Sequence, residues 1–533
     1  MQYLPLCNDT LNGLLEYAAR TYRSKIAVSM GSQCVTYAQL DESSKIIAKK
    51  LIEQGLAPGS HCALIGRNSI RWIVYFAALI RAGAVVVPLN PNETTEVLKD
   101  TMTRMRVSRV FAGTCHKETK DGFLTRIRTI TEQIENDIGT MPLFMIEDTS
   151  FSQRSISASE ETAEIVLPEP SSRQTAVIMM TSGTTGLAKG VMLSHGSLFN
   201  NAKSIAQHLY LTANDKMCLT VSLFHIFGLS GTLLSCLHSG CQVCIPEQYS
   251  TADIVATILR NQCTALNGVP TMFYNILQYC DQNHIRITGL QKGEIAGAVV
   301  GETAFRNIVK KLNMHALMTS YGMTETAPAV TFSTIDDSIE IRSRTVGKVL
   351  PHIRVRIRDI HTGVLLTENM SGEIEVSGYN VMQGYYNNPE ATAETMTDDG
   401  WLRTGDIGFI DQDEYVTISG RKKELMIRGG ENISPVEIER CILELPQVAQ
   451  VKVFGVSDAK YQEEICACIV LKEKQQLTEY DVVHHVSNCM AQHKCPRYVV
   501  FFAEFPHTAS GKVCLNELKN SVNLLATSEC KRI

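Results

Sequence analysis

Apolar residues recur along the first two thirds of the chain with helical spacing in some segments and as short continuous runs in others. The run Trp72 to Leu89 is apolar but is interrupted by Arg81, Gly83 and Pro88, which predicts a buried helix followed by a strand. Other short runs are separated by helical patterns, which indicates strands joined by crossover helices and predicts an α/β fold of layered subdomains. The clearest are the apolar runs Ala176 to Met180, Met217 to Val221, Gln242 to Ile245 and Ile295 to Val300, and the helical pattern Ile254 to Arg260.

From about Gly347 the pattern changes to strict alternation of apolar and polar residues. The alternating segments are Ile353 to Ile357, Gly372 to Val376 and Glu414 to Ile418. Alternation of this kind is typical of antiparallel strands with one solvated face, so we predict a small antiparallel β subdomain over residues 347–422.

A helix start signal follows this β-rich region. Ser434 is suited to the N-cap, Pro435 to the first helical position, and Glu437 to the third position of a capping box. Beyond this helix, roughly the last hundred residues read as a compact α+β unit.

The segment from Thr181 to Gly190 has the composition of a phosphate-binding loop. It holds three glycines, four hydroxyl side chains and Lys189 directly after the predicted strand Ala176 to Met180. A Walker-type loop places Ser or Thr after its lysine to bind magnesium, but here Gly190 follows. We therefore do not expect a standard P-loop NTPase. If nucleotide binds at this loop, its metal ligand has to come from elsewhere in the chain. A solvated Ser/Thr/Gly turn is the alternative.

Composition narrows the possible classes. At 533 residues we expect more than one domain, and 44% hydrophobic with 20% charged residues is ordinary for a globular protein. A net charge of -5 gives no electrostatic footprint for nucleic acid. We expect no signal peptide and no transmembrane segment. The 17 cysteines do not form a zinc-binding spacing, and the close pairs Cys241/Cys244 and Cys466/Cys468 lie in strand-like sequence. Buried reduced thiols favour a cytoplasmic location.

Seven motifs in order along nearly the whole chain resemble the adenylate-forming (AMP-binding) superfamily, in particular its acyl- and aryl-CoA synthetases. A single one of these motifs is weak evidence, but their common order makes chance similarity very improbable. The motifs are Thr181–Gly190, Phe224–Gly228, Tyr321–Glu325, Gly384–Pro389, Trp401–Asp406, Gly420–Glu424 continuing through Arg428–Pro435, and Thr508–Lys512.

The resemblance implies two domains and a reaction in two steps. Residues 1–422 would form an adenylating domain of layered α/β subdomains with a small β-barrel-like subdomain, and 423–533 a mobile α+β lid. A carboxylic acid would react with ATP to give an acyl-adenylate and pyrophosphate, and coenzyme A would then displace AMP. The lid would rotate about Lys423 between the two steps.

The resemblance also implies roles for individual residues. Lys512 would be the catalytic lysine that bridges the substrate carboxylate and the α-phosphate. Thr324 would contact the α-phosphate, and Glu325 would hold Mg²⁺, for which carboxylate oxygen is a suitable ligand. The other nucleotide and coenzyme A contacts would be Thr181, Ser182, Gly183, Thr184, Thr185 and Lys189 on the phosphates, Tyr321 and Gly322 at adenine, Asp406 and Arg421 at the ribose, and Gly429 and Gly430 along the pantetheine tunnel.

The identity of the acid is constrained but not given. His225 stands where amino-acid-activating relatives have aspartate, and it resembles the gate residue of fatty-acyl and aryl-CoA ligases. A satisfied core histidine is the alternative. Gly322 replaces the tryptophan of acetate-activating relatives and is expected to leave room for a medium, long or aromatic acyl group. The segment Gly297 to Glu302 lacks the proline common in relatives, which leaves the pocket shape open.

Other functions share these motifs. An acyl carrier protein is the alternative acceptor to coenzyme A, and a luciferase-like oxidative role or a non-catalytic AMP-binding protein keeps the same fold. The intact Lys512, Glu325 and Asp406 argue against a non-catalytic role. The sequence gives neither the oligomeric state nor the pathway.

Overall fold

The computed structural model describes residues 5–138, 141–146, 165–181, 188–298, 300–428, 431–458, 460–506 and 513–526. These residues form two large sheets of seven and nine strands, a four-stranded sheet and a C-terminal five-stranded sheet. None of the helices in these ranges is long and apolar enough to cross a membrane.

The helices are named in chain order. They are α1 Leu11–Thr21, α2 Tyr37–Glu53, α3 Ile70–Arg81, α4 Thr95–Arg104, α5 Lys120–Ile138, α6 His195–His208, α7 Ser235–Ser239, α8 Thr251–Asn261, α9 Pro270–Gln282, α10 Glu302–Lys311, α11 Ile339–Arg344, α12 Pro389–Thr395, α13 Pro435–Leu443, α14 Glu479–Cys489 and α15 Leu515–Ala526. A π-helix spans Phe227–Leu234, and short 3₁₀ turns span Thr324–Thr326, Lys422–Glu424 and Gln492–Lys494.

The strands are numbered in the same way. They are β1 Ile26–Met30, β2 Gln33–Thr36, β3 His61–Ile65, β4 Val85–Leu89, β5 Arg109–Ala112, β6 Leu143–Met145, β7 Thr175–Thr181, β8 Lys189–Ser194, β9 Lys216–Cys218, β10 Gln242–Ile245, β11 Ala265–Leu266, β12 Lys292–Ile295, β13 Ala316–Gly322, β14 Ala329–Phe332, β15 Lys348–Val349, β16 Ile353–Arg358, β17 Gly372–Gly378, β18 Gly384–Tyr385, β19 Leu402–Ile410, β20 Val416–Arg421, β21 Met426–Arg428, β22 Glu431–Ile433, β23 Val448–Asp458, β24 Gln462–Leu471 and β25 Tyr498–Phe502.

The two large sheets are mostly parallel, as the alternation of helices and strands predicts. The seven-stranded sheet has the order β18-β8-β7-β4-β3-β5-β6, and β7 and β8 form an antiparallel hairpin in it. The nine-stranded sheet has the order β15-β14-β13-β12-β11-β9-β10-β1-β2, with antiparallel strands only at its two ends. The predicted α/β fold class is therefore confirmed.

Helix α3 lies in the largest core cluster, which explains why its sequence is apolar on every face. Trp72 is fully buried and stacks on Phe76 with 5.7 Å between ring centroids. Ser69 caps the helix by accepting a hydrogen bond from the Trp72 amide at 3.1 Å. Arg81 at its last position is also buried, and its guanidinium binds the Asp41 carboxylate of α2. The Arg81 side chain, which interrupts the apolar run, is therefore buried in an ion pair and is not exposed to solvent.

The β-rich region and the C-terminal unit also follow the sequence pattern. Strands β16, β17, β19 and β20 pair antiparallel in that order. The C-terminal unit has β24 at the centre of its sheet, with α13 and α14 packed against it through a separate core cluster. The cysteines of the two close pairs are buried and free of disulfides, as predicted.

One strand prediction is wrong. The apolar run Ile295 to Val300 is not a strand, because β12 ends at Ile295 and the chain leaves the sheet there. Gly297 takes a left-handed backbone with φ of 87°, which breaks the extended geometry that a strand requires. Hydrophobicity alone did not distinguish the end of this strand from the loop that follows it.

The predicted capping box at α13 is also wrong, although the helix begins at Pro435 as expected. The Ser434 hydroxyl does not cap the helix but donates to the Ser419 carbonyl of β20. Glu437 pairs with the Lys494 ammonium. Arg440, one turn further along α13, donates to the Ile418 carbonyl at 3.1 Å. These side chains are therefore used for tertiary contacts, of which two attach α13 to β20.

Candidate active site

The predicted phosphate loop joins the two strands of a hairpin. Thr181 ends β7 and Lys189 begins β8, and the two residues are direct antiparallel partners. The Thr181 hydroxyl also donates to the Lys189 carbonyl at 3.4 Å. Both ends of the loop are thus held by one sheet. Ser182, Gly183, Thr184 and Thr185 lie outside the described residues.

Tyr385 connects this hairpin to Glu325. The strand β18 that carries Tyr385 pairs with β8, so its ring lies beside the start of the hairpin. The Lys189 ammonium lies 4.7 Å from the centroid of that ring, and the Tyr385 hydroxyl donates to Glu325 Oε1 at 2.8 Å. A tyrosine face attracts a cation, and its hydroxyl favours a charged carboxylate. Lys189 and Glu325 are therefore brought to the same place by one side chain.

Glu325 is a buried carboxylate on the 3₁₀ turn Thr324–Thr326, with 6% of its surface exposed. Burial raises the pKa of Glu325, while the hydrogen bond from Tyr385 and the charges of Arg421 and Lys189 oppose that rise. Such a carboxylate fits a divalent cation, because the ion would compensate for the lost hydration of the charged form. Thr324 stands next to it at the start of the turn. Sequence reasoning assigned no role to Tyr385, although its motif Gly384–Pro389 was the available signal.

A second group joins three strands. The Tyr321 hydroxyl at the end of β13 donates to Asp406 Oδ2 at 2.7 Å, across 85 residues of sequence. Arg421 Nε lies 3.0 Å from Asp406 Oδ1, and the two residues are cross-strand partners in β19 and β20. Burial and the neighbouring Asp406 charge raise the pKa of the Tyr321 hydroxyl, which therefore stays protonated and donates.

The structure explains the glycine at Gly322 by a different cause from the one that the sequence suggests. A Cβ atom at this position would lie 1.8 Å from the Pro328 carbonyl oxygen. The pairing of β13 with β14 shifts register between Tyr321 and Gly322, which brings the two main chains together. The missing side chain is thus required by main-chain packing, and it does not demonstrate room for a large acyl group.

His225 lies near the start of the π-helix Phe227–Leu234 and is partly buried. Its ring contacts Phe224 with 4.6 Å between centroids. The π-helix is linked to the other site residues through Ser230, whose hydroxyl donates to the Ala327 carbonyl at 2.8 Å, just after the turn that carries Glu325. π-helical segments occur often at functional sites.

The structure therefore connects most of the predicted residues that it describes. Thr181, Lys189 and Glu325 meet through the hairpin and Tyr385, while Tyr321, Asp406 and Arg421 form the neighbouring group. Lys423 is exposed on the 3₁₀ turn that leads into the C-terminal unit. Gly429, Gly430 and Lys512 lie outside the described residues.

Comparison with protein families decides the class of the protein. The family model "AMP-binding enzyme" matches residues 15–386, and "AMP-binding enzyme C-terminal domain" matches residues 437–512. The chain belongs to the AMP-binding enzyme family. The predicted superfamily and its acyl-CoA synthetase class are thereby confirmed.

Curated relatives cover nearly the whole chain. YngI of Bacillus subtilis (strain 168) is 33% identical over 95% of this chain and 96% of its own length. The mitochondrial medium-chain acyl-CoA ligase ACSF2 of Bos taurus is 32% identical over 96% of this chain and 87% of its own length.

Solved structures agree with the fold over the same extent. ATP-bound MatB from Rhodopseudomonas palustris has a TM-score of 0.83 at 28% identity, over 96% of this chain and 99% of that chain. The o-succinylbenzoate CoA synthetase MenE from Bacillus subtilis, in complex with an acyl-adenylate, has a TM-score of 0.78 at 26% identity, over 97% and 98% of the two chains.

Proposed function

We propose that this enzyme activates a medium-chain, long-chain or aromatic carboxylic acid with ATP and transfers the acyl group to coenzyme A. The convergence of Tyr321, Asp406 and Arg421 carries the proposal. Three strands bring an aromatic ring, a carboxylate and a guanidinium to one place, which is the combination suited to adenine and ribose. Family membership supports the same assignment.

In the first step, a carboxylate oxygen bonds to the α-phosphorus of ATP and the bond to the β-phosphate breaks, which releases pyrophosphate. Two anions approach each other, so the site must supply positive charge. Lys189 and the hairpin loop would hold the departing phosphates, Thr324 the α-phosphate, and Lys512 the reacting carboxylate. Glu325 would hold Mg²⁺, and the ion would neutralise phosphate charge. The burial of this carboxylate supports its role as a metal ligand.

In the second step, the coenzyme A thiol gives its proton to solvent, its sulfur bonds to the acyl carbonyl carbon and the bond from that carbon to the phosphate oxygen breaks, which releases AMP. The domain division at 422/423, the pivot at Lys423 and the tunnel at Gly429 and Gly430 belong to this proposal. Turning residues 423–533 would remove Lys512 and admit the pantetheine arm. His225 would lie at the entrance of the acyl pocket.

The acid class draws support from relatives. ACSF2 is named a medium-chain ligase, and MenE is named an o-succinylbenzoate CoA synthetase, whose acid contains an aromatic ring. The cytoplasmic location remains a prediction, and the name of ACSF2 places that relative in mitochondria.

Acid-dependent pyrophosphate release tests the proposal, measured over saturated acids of increasing length and over benzoate-type acids, with and without coenzyme A. We expect thioester formation with free coenzyme A for at least one acid of this panel. Pyrophosphate release without thioester would overturn coenzyme A as acceptor and favour an acyl carrier protein. Absence of both would overturn the ligase assignment.

A pair of tyrosine variants tests the nucleotide site in the same assay. Tyr321→Phe removes the hydrogen bond that orients the Asp406 carboxylate, so we expect the KM for ATP to rise about tenfold, equivalent to about 1.4 kcal/mol. Tyr415→Phe is the matched control, because Tyr415 donates to Asp337 at 2.6 Å on a different part of the molecule. Equal effects of the two variants would contradict a role for Tyr321 in ATP binding.

A further inference from the structure

The C-terminal unit contains a cluster of three side chains that can bind a soft metal ion and have no role in the proposed reaction. Cys441, His485 and Cys489 each offer one ligand atom, and these atoms lie within 4.8 Å of one another. Sulfur and imidazole nitrogen are the ligands that zinc prefers in proteins. Two sulfurs on a tetrahedral zinc ion lie about 3.8 Å apart, given a bond length of about 2.3 Å, so a small contraction would complete the geometry.

Two packed helices hold the cluster in place. Cys441 projects from α13, while His485 and Cys489 are four residues apart on α14 and so share one of its faces. Helix α14 is fixed at its start by a capping box between Thr478 and Asp481. Because the ligands come from helices separated in sequence by some forty residues, no short cysteine motif marks the site.

The hydrogen bond of His485 leaves its other ring nitrogen able to bind a metal ion. Its Nε2 lies 2.9 Å from the Cys441 carbonyl oxygen. A carbonyl only accepts hydrogen bonds, so Nε2 carries the hydrogen and Nδ1 keeps the lone pair. Histidines that bind metals usually donate their other ring nitrogen to a carbonyl or carboxylate in this way.

The cluster also has a path to solvent. Cys441 is 7% exposed and belongs to the core of the C-terminal unit, whereas Cys489 is exposed and His485 partly so. An ion would therefore enter from the Cys489 side and reach the buried sulfur last.

We propose that Cys441, Cys489 and His485 bind one zinc ion, with water as the fourth ligand. On binding, each thiol gives its proton to solvent and the imidazole stays neutral, so the two thiolates balance the charge of the ion. The ion would join α13 to α14. This site is independent of the ligase chemistry, because it needs neither ATP nor an acid.

Metal titration of the full-length protein tests the site, after chelation and reduction with a phosphine and without nucleotide. We expect one Co²⁺ or Zn²⁺ ion per chain, with a thiolate-to-cobalt charge-transfer band in the near ultraviolet. Zn²⁺ should also raise the thermal unfolding temperature, because a ligand of the folded state stabilises it. Cys489→Ser and His485→Asn should each weaken binding at least about tenfold and make that rise smaller.

Matched controls come from the same chain. His484→Asn changes the adjacent, exposed histidine of α14, whose ring stacks on Tyr480, and Cys34→Ser removes an exposed cysteine of β2. Both should bind the ion as the unmodified protein does. Cys489 is exposed, so its variant stays testable if Cys441→Ser fails to fold.

The absence of a charge-transfer band in the reduced unmodified protein would overturn the proposal. So would equal metal affinity in the Cys489→Ser, His485→Asn and control variants. Neither result affects acid-dependent thioester formation, which keeps the two proposals separately testable.

Discussion

At the scale of single residues, Tyr385 has the most consequential contacts in the candidate site. Its face attracts the Lys189 ammonium while its hydroxyl holds the Glu325 carboxylate. One side chain therefore positions both the cation proposed to bind phosphate and the proposed magnesium ligand.

Tyr385→Phe tests this dual role. The ring is kept but the hydrogen bond to Glu325 is lost, so we expect the Mg²⁺ concentration for half-maximal pyrophosphate release to rise about tenfold. That bond lowers the pKa of Glu325, so its removal raises the pKa. The acid limb of the rate, where Glu325 becomes protonated, should move to higher pH. Tyr386→Phe is the control, and a shift of equal size in that variant would contradict the role of Tyr385.

Glu294 is a second buried carboxylate, which sequence reasoning did not identify. It is 3% exposed on β12, and Oε1 accepts a hydrogen bond from the Ser320 hydroxyl. Among the described residues, Oε2 has no hydrogen-bond partner. Burial raises the pKa of Glu294 from 4.5 to about 7.

Glu294→Gln should change how stability depends on pH. Between pH 4.5 and about 7 the folded form of Glu294 binds a proton that the unfolded form has lost, so this group makes the protein less stable as pH rises through that window. The loss is about 3 kcal/mol at about 1.4 kcal/mol per pKa unit. Denaturant unfolding across this range should show a smaller loss for Glu294→Gln. Glu132→Gln, at an exposed position, should lose as much stability with rising pH as the unmodified protein does. An equal loss for Glu294→Gln would contradict the role of Glu294.

Sequence motifs located residues better than they explained them. Tyr321, Asp406 and Arg421 were predicted around the nucleotide, and the structure joins them across three strands. Their bonds to one another were not predictable, because motif order does not give tertiary distances. From the sequence, Gly322 was interpreted as leaving room in the acyl pocket. In the structure, the Pro328 carbonyl leaves no space for a side chain at this position.

At the scale of elements, the register shift between β13 and β14 places the main chain of Gly322 against Pro328. This shift lies between Tyr321 and the turn that carries Glu325. The two groups of the candidate site therefore depend on one irregularity of strand pairing.

Gly322→Ala should disturb both groups. A Cβ atom 1.8 Å from a main-chain oxygen cannot be relieved by a side-chain rotation, so we expect a loss of stability of about 2 kcal/mol or more. The thermal unfolding temperature and the rate of pyrophosphate release should both fall. Gly122→Ala in α5 is the control, because the nearest atom there is the Thr119 side-chain oxygen at 3.1 Å. Normal activity and stability of Gly322→Ala would contradict the importance of this contact.

Periodicity predicted elements where burial is one-sided or complete. Helix α3 and strand β4 appeared where the pattern placed them. The end of β12 and the cap of α13 did not, because a glycine conformation and tertiary partners decided them. Local sequence contains neither piece of information.

At the scale of the whole molecule, two-step catalysis can be tested at Lys423, the proposed pivot of the lid. Lys423 is exposed on a short 3₁₀ turn between β20 and β21. Hinges need a residue whose φ and ψ change freely, and proline fixes φ near −65°.

Lys423→Pro should therefore separate the two half-reactions. We expect acid-dependent pyrophosphate exchange to stay within about threefold of normal, and transfer of the acyl group to coenzyme A to fall at least about tenfold, equivalent to about 1.4 kcal/mol. Lys423→Ala removes the charge but leaves φ free, and it should retain both activities. Equal loss of the two half-reactions in Lys423→Pro would place the pivot elsewhere.

The attachment of α13 to β20 has a consequence for the timing of each catalytic cycle. Ser434 and Arg440 donate to the consecutive carbonyls of Ser419 and Ile418, across the proposed pivot. Two such bonds are worth about 1–3 kcal/mol together. If both break before the lid turns, the docked state lasts about five to 150 times longer than it would without them. The length of that pause would limit how soon the next substrate is accepted.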